Sequence, residues 1–443
     1  MFSGTPHGIA RRLRPSIKSK RLMETYTRRT PPPPPPEIAT LLQSYQGQPP
    51  HSIPLAQVVS FGEKLSPESV VASANFALSE IPRRLAQRVR SLDNLPFIVG
   101  TNPFIARIHK LNQDGFKMLA SYPIPRSIEE NWAFTRRLED LVDAHSDDIP
   151  IMAKGFKECT KYMTPEKTSA FLNLAIRDRI ALRLIAEQHI AISYSLRDVG
   201  HNDRTRDVGV IDRKTSPKAL IKMCGRFVSE LSEASLGSSP ELKLEGQLDA
   251  TFAYVPVHLE YILTEVLKNS FRATVERHQH SGNLPPVVIT ISPSSVPPSP
   301  ARPAYMSLRI RDQGGGISPS NMKKIFSYAF TTAGGGASDT SGLDEGMDGG
   351  PYAAQHVGGA AAIGGSDSTS GGAGNMFGEI TGKGVQIGLG TLAGLGYGLP
   401  LARLYASYFG AGSGLELVSL DGFGTDCFIK LRSLEKGGDE VLI

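Results

Sequence analysis

Apolar residues recur at helical spacing from Ser66 to about Arg197, and the polar residues between them carry helix-start signals. Ser66-Pro67-Glu68 and Thr164-Pro165-Glu166 each place a hydroxyl N-cap before a proline at the first helical position. Ser127 with Glu130 makes a capping box. Breaks at Pro96 to Pro103, at Pro123 to Pro125, and near Pro150 and Thr164 divide the stretch into about four helices, for which a four-helix bundle is the simplest closure. After Asp207 the period shortens. Val208 to Ile211 and Thr251 to Pro256 are short strand candidates around a helix from Ser216 to Leu231, and a helix through Glu265 follows. Val287 to Ser292 and Met306 to Arg311 read as strands joined by the proline-rich loop Ser294 to Ala304. Leu415 to Leu420 and Thr425 to Leu431 form a hairpin around Asp421-Gly422. This pattern predicts an α+β fold, a helical bundle followed by an α/β sandwich with one face of its sheet covered.

Two segments fall outside the pattern. Residues 333–390 are rich in Gly, Ser and Ala with almost no apolar period, so they cannot bury enough surface to offset ordering entropy and are predicted to be largely disordered. Residues 1–30 hold eight Lys or Arg and one Glu, a balance of +7 against +5 for the whole chain, which leaves the remainder slightly acidic. The basic excess therefore does not argue for nucleic acid. Its Arg-rich, acid-poor composition without an apolar core is that of a mitochondrial presequence, set apart from the fold by the proline run Pro31 to Pro36. Cys159, Cys224 and Cys427 are too scattered for a disulfide framework or a zinc site. No apolar run is long enough to span a membrane, so a soluble matrix protein is expected.

The chemistry concentrates in three blocks. Glu265, Lys268, Asn269 and Arg272 fall at i, i+3, i+4 and i+7, on one face of a helix. Asp312-Gln313-Gly314-Gly315-Gly316 closes a strand with glycines that let backbone approach a planar ligand. Gly394-Leu395-Gly396-Tyr397-Gly398-Leu399-Pro400 precedes a helix and offers N–H groups to a triphosphate. Phosphoryl transfer asks a protein mainly for positioning and charge stabilisation, and these residue types suit it. Asn269 offers an amide oxygen to Mg²⁺, and Glu265 can accept or orient a hydroxyl proton. Lys268 is placed to orient Glu265 or meet a phosphate, and Arg272 to brace the site. The Asp312 carboxylate can accept from the adenine amine, which guanine lacks. Each glycine block alone is a weak signal; their order is the strong one.

The three blocks resemble the N, G1 and G2 boxes of the GHKL ATPases, which include gyrase, the heat-shock ATPase chaperones, MutL and the histidine kinases. Tyr261 to Glu276 and the stretch from about Pro96 to Leu434 most resemble the mitochondrial 2-oxo acid dehydrogenase kinases, pyruvate or branched-chain. That resemblance implies a presequence and linker over 1–36, a bundle over 37–205 that docks the lipoyl domain of E2, and a GHKL ATP-binding domain over 206–443. Residues 333–390 then form an ATP lid, longer than the family's usual one. Leu95-Pro96-Phe97 through Asn102-Pro103-Phe104 resembles the family's N-terminal domain. It further implies that Gly424-Thr425-Asp426 is the last nucleotide box, with Thr425 near adenine, that Thr331 and Thr332 lie near the nucleotide, and that carbonyls of Ile325, Ser327 and Phe330 could hold K⁺. The implied enzyme is a homodimeric protein-serine kinase of the matrix that uses ATP and Mg²⁺ to phosphorylate and switch off the E1α subunit of its complex.

Two alternatives stand beside it. His189 lies on a bundle helix, where bacterial histidine kinases carry their phosphoacceptor, although a lone His on an amphipathic helix is usually packed. A non-catalytic lipoyl-domain adaptor could share the fold, but it would not need Glu265, Asn269, Asp312 and the glycine turns.

Overall fold

The computed structural model describes residues 35–198, 209–281, 283–294, 303–331, 396–435 and 441–443. Helix α1 (Pro36–Ser44) and α2 (Leu55–Ser60) precede the long α3 (Pro67–Asp93), the short α4 (Phe97–Gly100), α5 (Pro103–Ala120), α6 (Ile128–Ala144), α7 (Asp148–Glu158) and α8 (Pro165–Asp198). The caps are those the sequence offers. The Ser66 hydroxyl accepts the Ser69 N–H while the Ser69 hydroxyl accepts that of Ser66, and Ser127 accepts the Glu130 N–H. Glu130 reaches back one residue beyond its cap, to the Arg126 N–H. Four long helices, α3, α5, α6 and α8, pack as the expected bundle around Ile81, Leu85, Phe116, Phe134, Leu138 and Ile190.

The break expected near Pro150 falls at residues 145–147, and Pro150 itself sits in the first turn of α7, where its missing N–H costs nothing. Two expectations need correction here. Pro36 is not a helix-free linker residue but the first residue of α1, the position proline favours. The first strand is not the apolar Val208 to Ile211. Val210 is buried instead, with its N–H donating to Gln188 Oε1 of α8 at 2.8 Å.

Beyond the bundle, β1 (Asp212–Thr215) leads into α9 (Pro217–Leu236), β2 (Leu242–Gly246), β3 (Phe252–Tyr254) and α10 (Pro256–His278). Strands β4 (Val287–Pro293) and β5 (Tyr305–Arg311), the short α11 (Pro319–Met322), α12 (Gly398–Ser407) and the hairpin β6 (Gly414–Leu420) and β7 (Gly424–Arg432) complete the described chain. The main sheet runs β2-β4-β5-β7-β6, with β2 parallel to β4 and the rest antiparallel; β1 and β3 form a separate pair. Alternate residues of the strands, such as Ile289, Leu308, Ile310 and Ile429, are buried on the face packed by α10 and its neighbours α9 and α12. Arg309, Arg311, Val418 and Phe428 belong to the other, uncovered face.

One core joins the two regions, because Phe156, Leu172, Ile176 and Ile180 of the bundle pack in the same cluster as Leu259, Ile262 and Val266 of α10. The last residues add a second connection. Leu442 bridges Pro54, and backbone hydrogen bonds link Ile53 with Ile443 and Leu55 with Val441. The fold is thus mixed helix and sheet, with a helical N-terminal region and a C-terminal sandwich. Among the described residues no helix is long and apolar enough to cross a membrane.

Candidate active site

Helix α10 starts at Pro256 and buries Leu259, Leu263, Leu267 and Phe271, so its remaining face is held at the edge of the sandwich. On that face Lys268 Nζ lies 2.9 Å from Glu265 Oε1, and both side chains are buried. Lys268 therefore holds the carboxylate. One turn on, Arg272 Nε donates to Glu276 Oε1 at 2.6 Å, a pair open to solvent on the Glu276 side. Asn269, between the two pairs, is exposed.

Strand β5 carries Asp312 to the floor of a cleft beside this helix. Its Oδ1 accepts the N–H groups of Gly314 at 3.0 Å and Thr425 at 3.2 Å, and its own N–H donates to the Thr425 carbonyl. The Ser270 hydroxyl of α10 also hydrogen-bonds this carboxyl, yet burial outweighs these bonds and pushes the Asp312 pKa up. The glycines that follow are required by space. A Cβ on Gly314 would lie 2.4 Å from that of Ala273, and one on Gly424 would lie 2.1 Å from the Asp312 carbonyl oxygen.

The third wall is the turn into α12. Gly396 has φ +73°, and a Cβ there would lie 2.3 Å from the Phe330 carbonyl oxygen. At Gly398, the first residue of α12, a Cβ would lie only 2.0 Å from Glu265 Oε2. The turn thus presses directly against the carboxylate, and Gly398, Leu399 and Pro400 at the start of α12 line the same space.

These walls border an open cleft of about 500 Å³. Of the residues singled out in the sequence, Glu265, Lys268, Asn269, Arg272, Asp312, Gly314, Gly316, Ile325, Phe330, Thr331, Gly396, Gly398, Leu399 and Thr425 line it. Tyr397 does not; its side chain is buried against Tyr328, ring centroids 5.2 Å apart, so it backs the turn from inside the core. Ser327 is also outside the lining, and its carbonyl accepts the Phe330 N–H. Thr332, Gly394, Leu395 and the segment 333–390 lie outside the described residues. Sequence reasoning did not single out Ser270 or Glu276. The Arg272–Glu276 pair was visible as an i, i+4 charge spacing, whereas the contact of Ser270 with Asp312 depends on a strand end brought in by the fold.

His189 is in different surroundings. It is fully buried, with Nε2 3.2 Å from Thr135 Oγ1 and Nδ1 3.2 Å from Ser73 Oγ, and burial lowers its pKa to about 3.

Comparison with known proteins agrees with this division of the chain. Residues 52–212 match the family described as mitochondrial branched-chain alpha-ketoacid dehydrogenase kinase. Residues 254–363 match the histidine kinase-, DNA gyrase B- and HSP90-like ATPases. The mitochondrial pyruvate dehydrogenase (acetyl-transferring) kinase of Arabidopsis thaliana is 27% identical over 385 residues, 86% of this chain and 90% of its own length. Kinase 1 of the same name from Saccharomyces cerevisiae is 24% identical over 401 residues, 90% and 88% of the two chains. Isozyme 4 of Mus musculus is 27% identical over 408 residues, 89% and 84%. The chain is thus similar to the branched-chain kinase family over its helices, to the ATPase family over its cleft, and to mitochondrial pyruvate dehydrogenase kinases along most of its length.

Proposed function

We propose that the protein is an ATP-dependent mitochondrial protein kinase that phosphorylates a serine of the E1α subunit of a 2-oxo acid dehydrogenase complex, in the matrix, and so inactivates that complex. The observation that carries this reading is the joining of Glu265, held by Lys268, to the glycine turn at Gly398 and, across the same cleft, to Asp312. In this reading Asp312 accepts from the adenine amine with Thr425 beside it, and the turn from Gly394 to Leu399 cradles the phosphates with its N–H groups. Arg272, tied to Glu276, braces the rim, with Gly314, Gly316, Thr331 and Thr332 near the nucleotide.

Glu265 accepts or orients the proton of the attacking serine hydroxyl as its oxygen bonds to the γ-phosphorus and ADP departs. Lys268 keeps the carboxylate aimed at the hydroxyl. The donor set suits Mg²⁺: no three His, Cys, Asp or Glu gather as a metal cage among the described residues, while Asn269 offers one amide oxygen on the exposed side of the helix. When bound, Mg²⁺ would neutralise phosphate charge there. K⁺ at the carbonyls of Ile325, Ser327 and Phe330 is part of the same proposal, and dependence of activity on K⁺ tests it.

For partners, we assign the helical region to the lipoyl domain of E2 and the uncovered sheet face to a second copy of the chain. The latter is supported by Val418, Leu420 and Phe428, apolar and 54%, 63% and 44% exposed on the outer hairpin. The family matched over the helices is of the branched-chain type and the relatives named above are pyruvate dehydrogenase kinases, so the test must offer both substrates. Radiolabelled MgATP with pyruvate or branched-chain E1, beside a Glu265→Gln control, should place acid-stable label on one E1α and none in the control. Acid-labile label on the kinase itself, removed by His189→Ala, would overturn the proposal.

A further inference from the structure

The glycine turn is held from behind by the helical bundle. The Tyr328 hydroxyl donates to Asn173 Oδ1 of α8 at 2.7 Å, a bond across 155 residues of sequence. The ring of Tyr328 packs on that of Tyr397, the residue between Gly396 and Gly398. The Tyr397 hydroxyl is buried and has no hydrogen-bond partner among the described residues, so ring packing alone fixes this side chain. Next to Tyr328, Ala329 has φ +65°, the one non-glycine residue in the left-handed region among those described. An L-residue persists there only where its surroundings impose it. The contacts of Tyr328 on one side, and the packing of Gly396 on the Phe330 backbone on the other, supply that constraint.

We infer that Asn173 is a positioning residue for phosphoryl transfer: through Tyr328 and Tyr397 it holds the turn at Gly396 to Gly398, and with it the space beside Glu265. This rests on the assignment of that turn to the nucleotide phosphates. The bundle thereby takes part in ATP binding without touching the cleft. Asn173 itself is exposed, so replacing it removes a hydrogen bond and little packing.

The test uses the full chain with Asn173→Leu, Asn173→Asp, Tyr328→Phe and the Asn173→Leu/Tyr328→Phe double variant. MgATP affinity is measured by equilibrium titration, KM and kcat on E1, and Tm. Loss of one such hydrogen bond should weaken MgATP binding roughly three- to tenfold in each of the first and third variants. The double variant should be no worse than either single one, since both remove the same contact. Asn173→Asp keeps the acceptor and should bind MgATP as the unaltered protein does, and Tm should move little in all four. Unchanged MgATP affinity in Asn173→Leu and Tyr328→Phe, or additive losses in the double variant, would overturn the inference. An unaltered protein that binds MgATP but labels neither E1 would remove the kinase assignment and leave the titration to decide this one. A protein that binds no MgATP would remove both.

Discussion

Helices α8 and α10 both carry buried polar side chains, and they differ in what lies on the far side of those side chains. His189 of α8 is enclosed: Thr135 and Ser73 occupy its two nitrogens, and Phe134 lies against its ring at 5.4 Å. Glu265 of α10 is nearly as buried, at 3% exposure, but one of its oxygens abuts Gly398 at the edge of an open cleft. Burial alone therefore does not mark a reactive group. A phosphoryl acceptor or a base must be reachable from the nucleotide, and only the α10 residue meets that condition without opening a helical core.

The sharpest way to break this comparison is to remove both groups. Glu265→Gln keeps the shape and removes the base, and should lower kcat roughly 10²- to 10⁴-fold with little change in MgATP affinity. His189→Ala should leave kcat per folded molecule within a fewfold of normal. Its cost is stability, about 2–4 kcal/mol, from the cavity and from the Ser73 hydroxyl left without its partner, while the Thr135 hydroxyl keeps its bond to the Asn131 carbonyl. If His189→Ala abolished phosphorylation in protein that still unfolds cooperatively, the comparison would be reversed.

Two further changes act on the α10 side. Gly398→Ala sets a methyl 2.0 Å from Glu265 Oε2, so the carboxylate or the turn must move by about an ångström, enough to cost on the order of 10² in kcat. Asp312→Ala should weaken MgATP binding by about 1–3 kcal/mol, through the lost acceptor and the orphaned N–H groups of Gly314 and Thr425. Kinetics at saturating MgATP separate these outcomes: the first should still lower kcat there, whereas the second should act chiefly on affinity.

Much of this contrast was legible in the chain. Start signals at Ser66, Ser127 and Thr164 located three bundle helices, and the i, i+3, i+4, i+7 spacing put Glu265, Lys268, Asn269 and Arg272 on one face. What escaped was set by tertiary contact. Strand β2, Leu-Lys-Leu-Glu-Gly, is a mostly exposed edge strand that exists through parallel pairing with β4, and nothing in its five residues announces that partner. Strand β1 is polar, Asp212–Thr215, while the apolar Val210 before it fills the core; local pattern favoured the wrong four residues. The places of Ser270 and Tyr397 are hidden from local pattern for the same reason, since their surroundings come from β5 and from Tyr328.

Proton linkage gives a smaller, pH-dependent version of the comparison. Burial lowers the pKa of His189 to about 3 and, aided by Arg183, that of His258 at the start of α10 also to about 3. Below the unfolded value of about 6.5 the unfolded chain takes up protons that the folded chain refuses, so stability falls as pH drops from about 6.5 towards 3. Glu260 has the opposite sign. Burial raises its pKa to about 7, so the folded chain keeps a proton that the unfolded chain has released, and stability falls as pH rises from about 4.5 to 7. Glu260→Gln should therefore unfold at higher temperature than the unaltered protein at pH 8 and at nearly the same temperature at pH 4.5. Equal melting temperatures across the range would show that the carboxyl of Glu260 reaches water.

The smallest expected effect distinguishes the two ion pairs of α10 from each other. Lys268 and Glu265 are both buried, so Lys268→Met strands a carboxylate and should cost several kcal/mol. Arg272 and Glu276 form an i, i+4 pair whose acidic member is half exposed, a geometry typically worth about 0.3–0.5 kcal/mol. Arg272→Gln should accordingly shift Tm by about a degree and leave MgATP affinity within twofold, because the guanidinium is engaged with Glu276 and stands at the rim of the cleft. A tenfold loss of MgATP affinity in Arg272→Gln, with Glu276→Gln unaffected, would mean that the guanidinium leaves its pair for the nucleotide. The polar face of α10 would then contact ATP over two turns beyond Glu265, and its contrast with the enclosed face of α8 would be larger than the geometry of the pair implies.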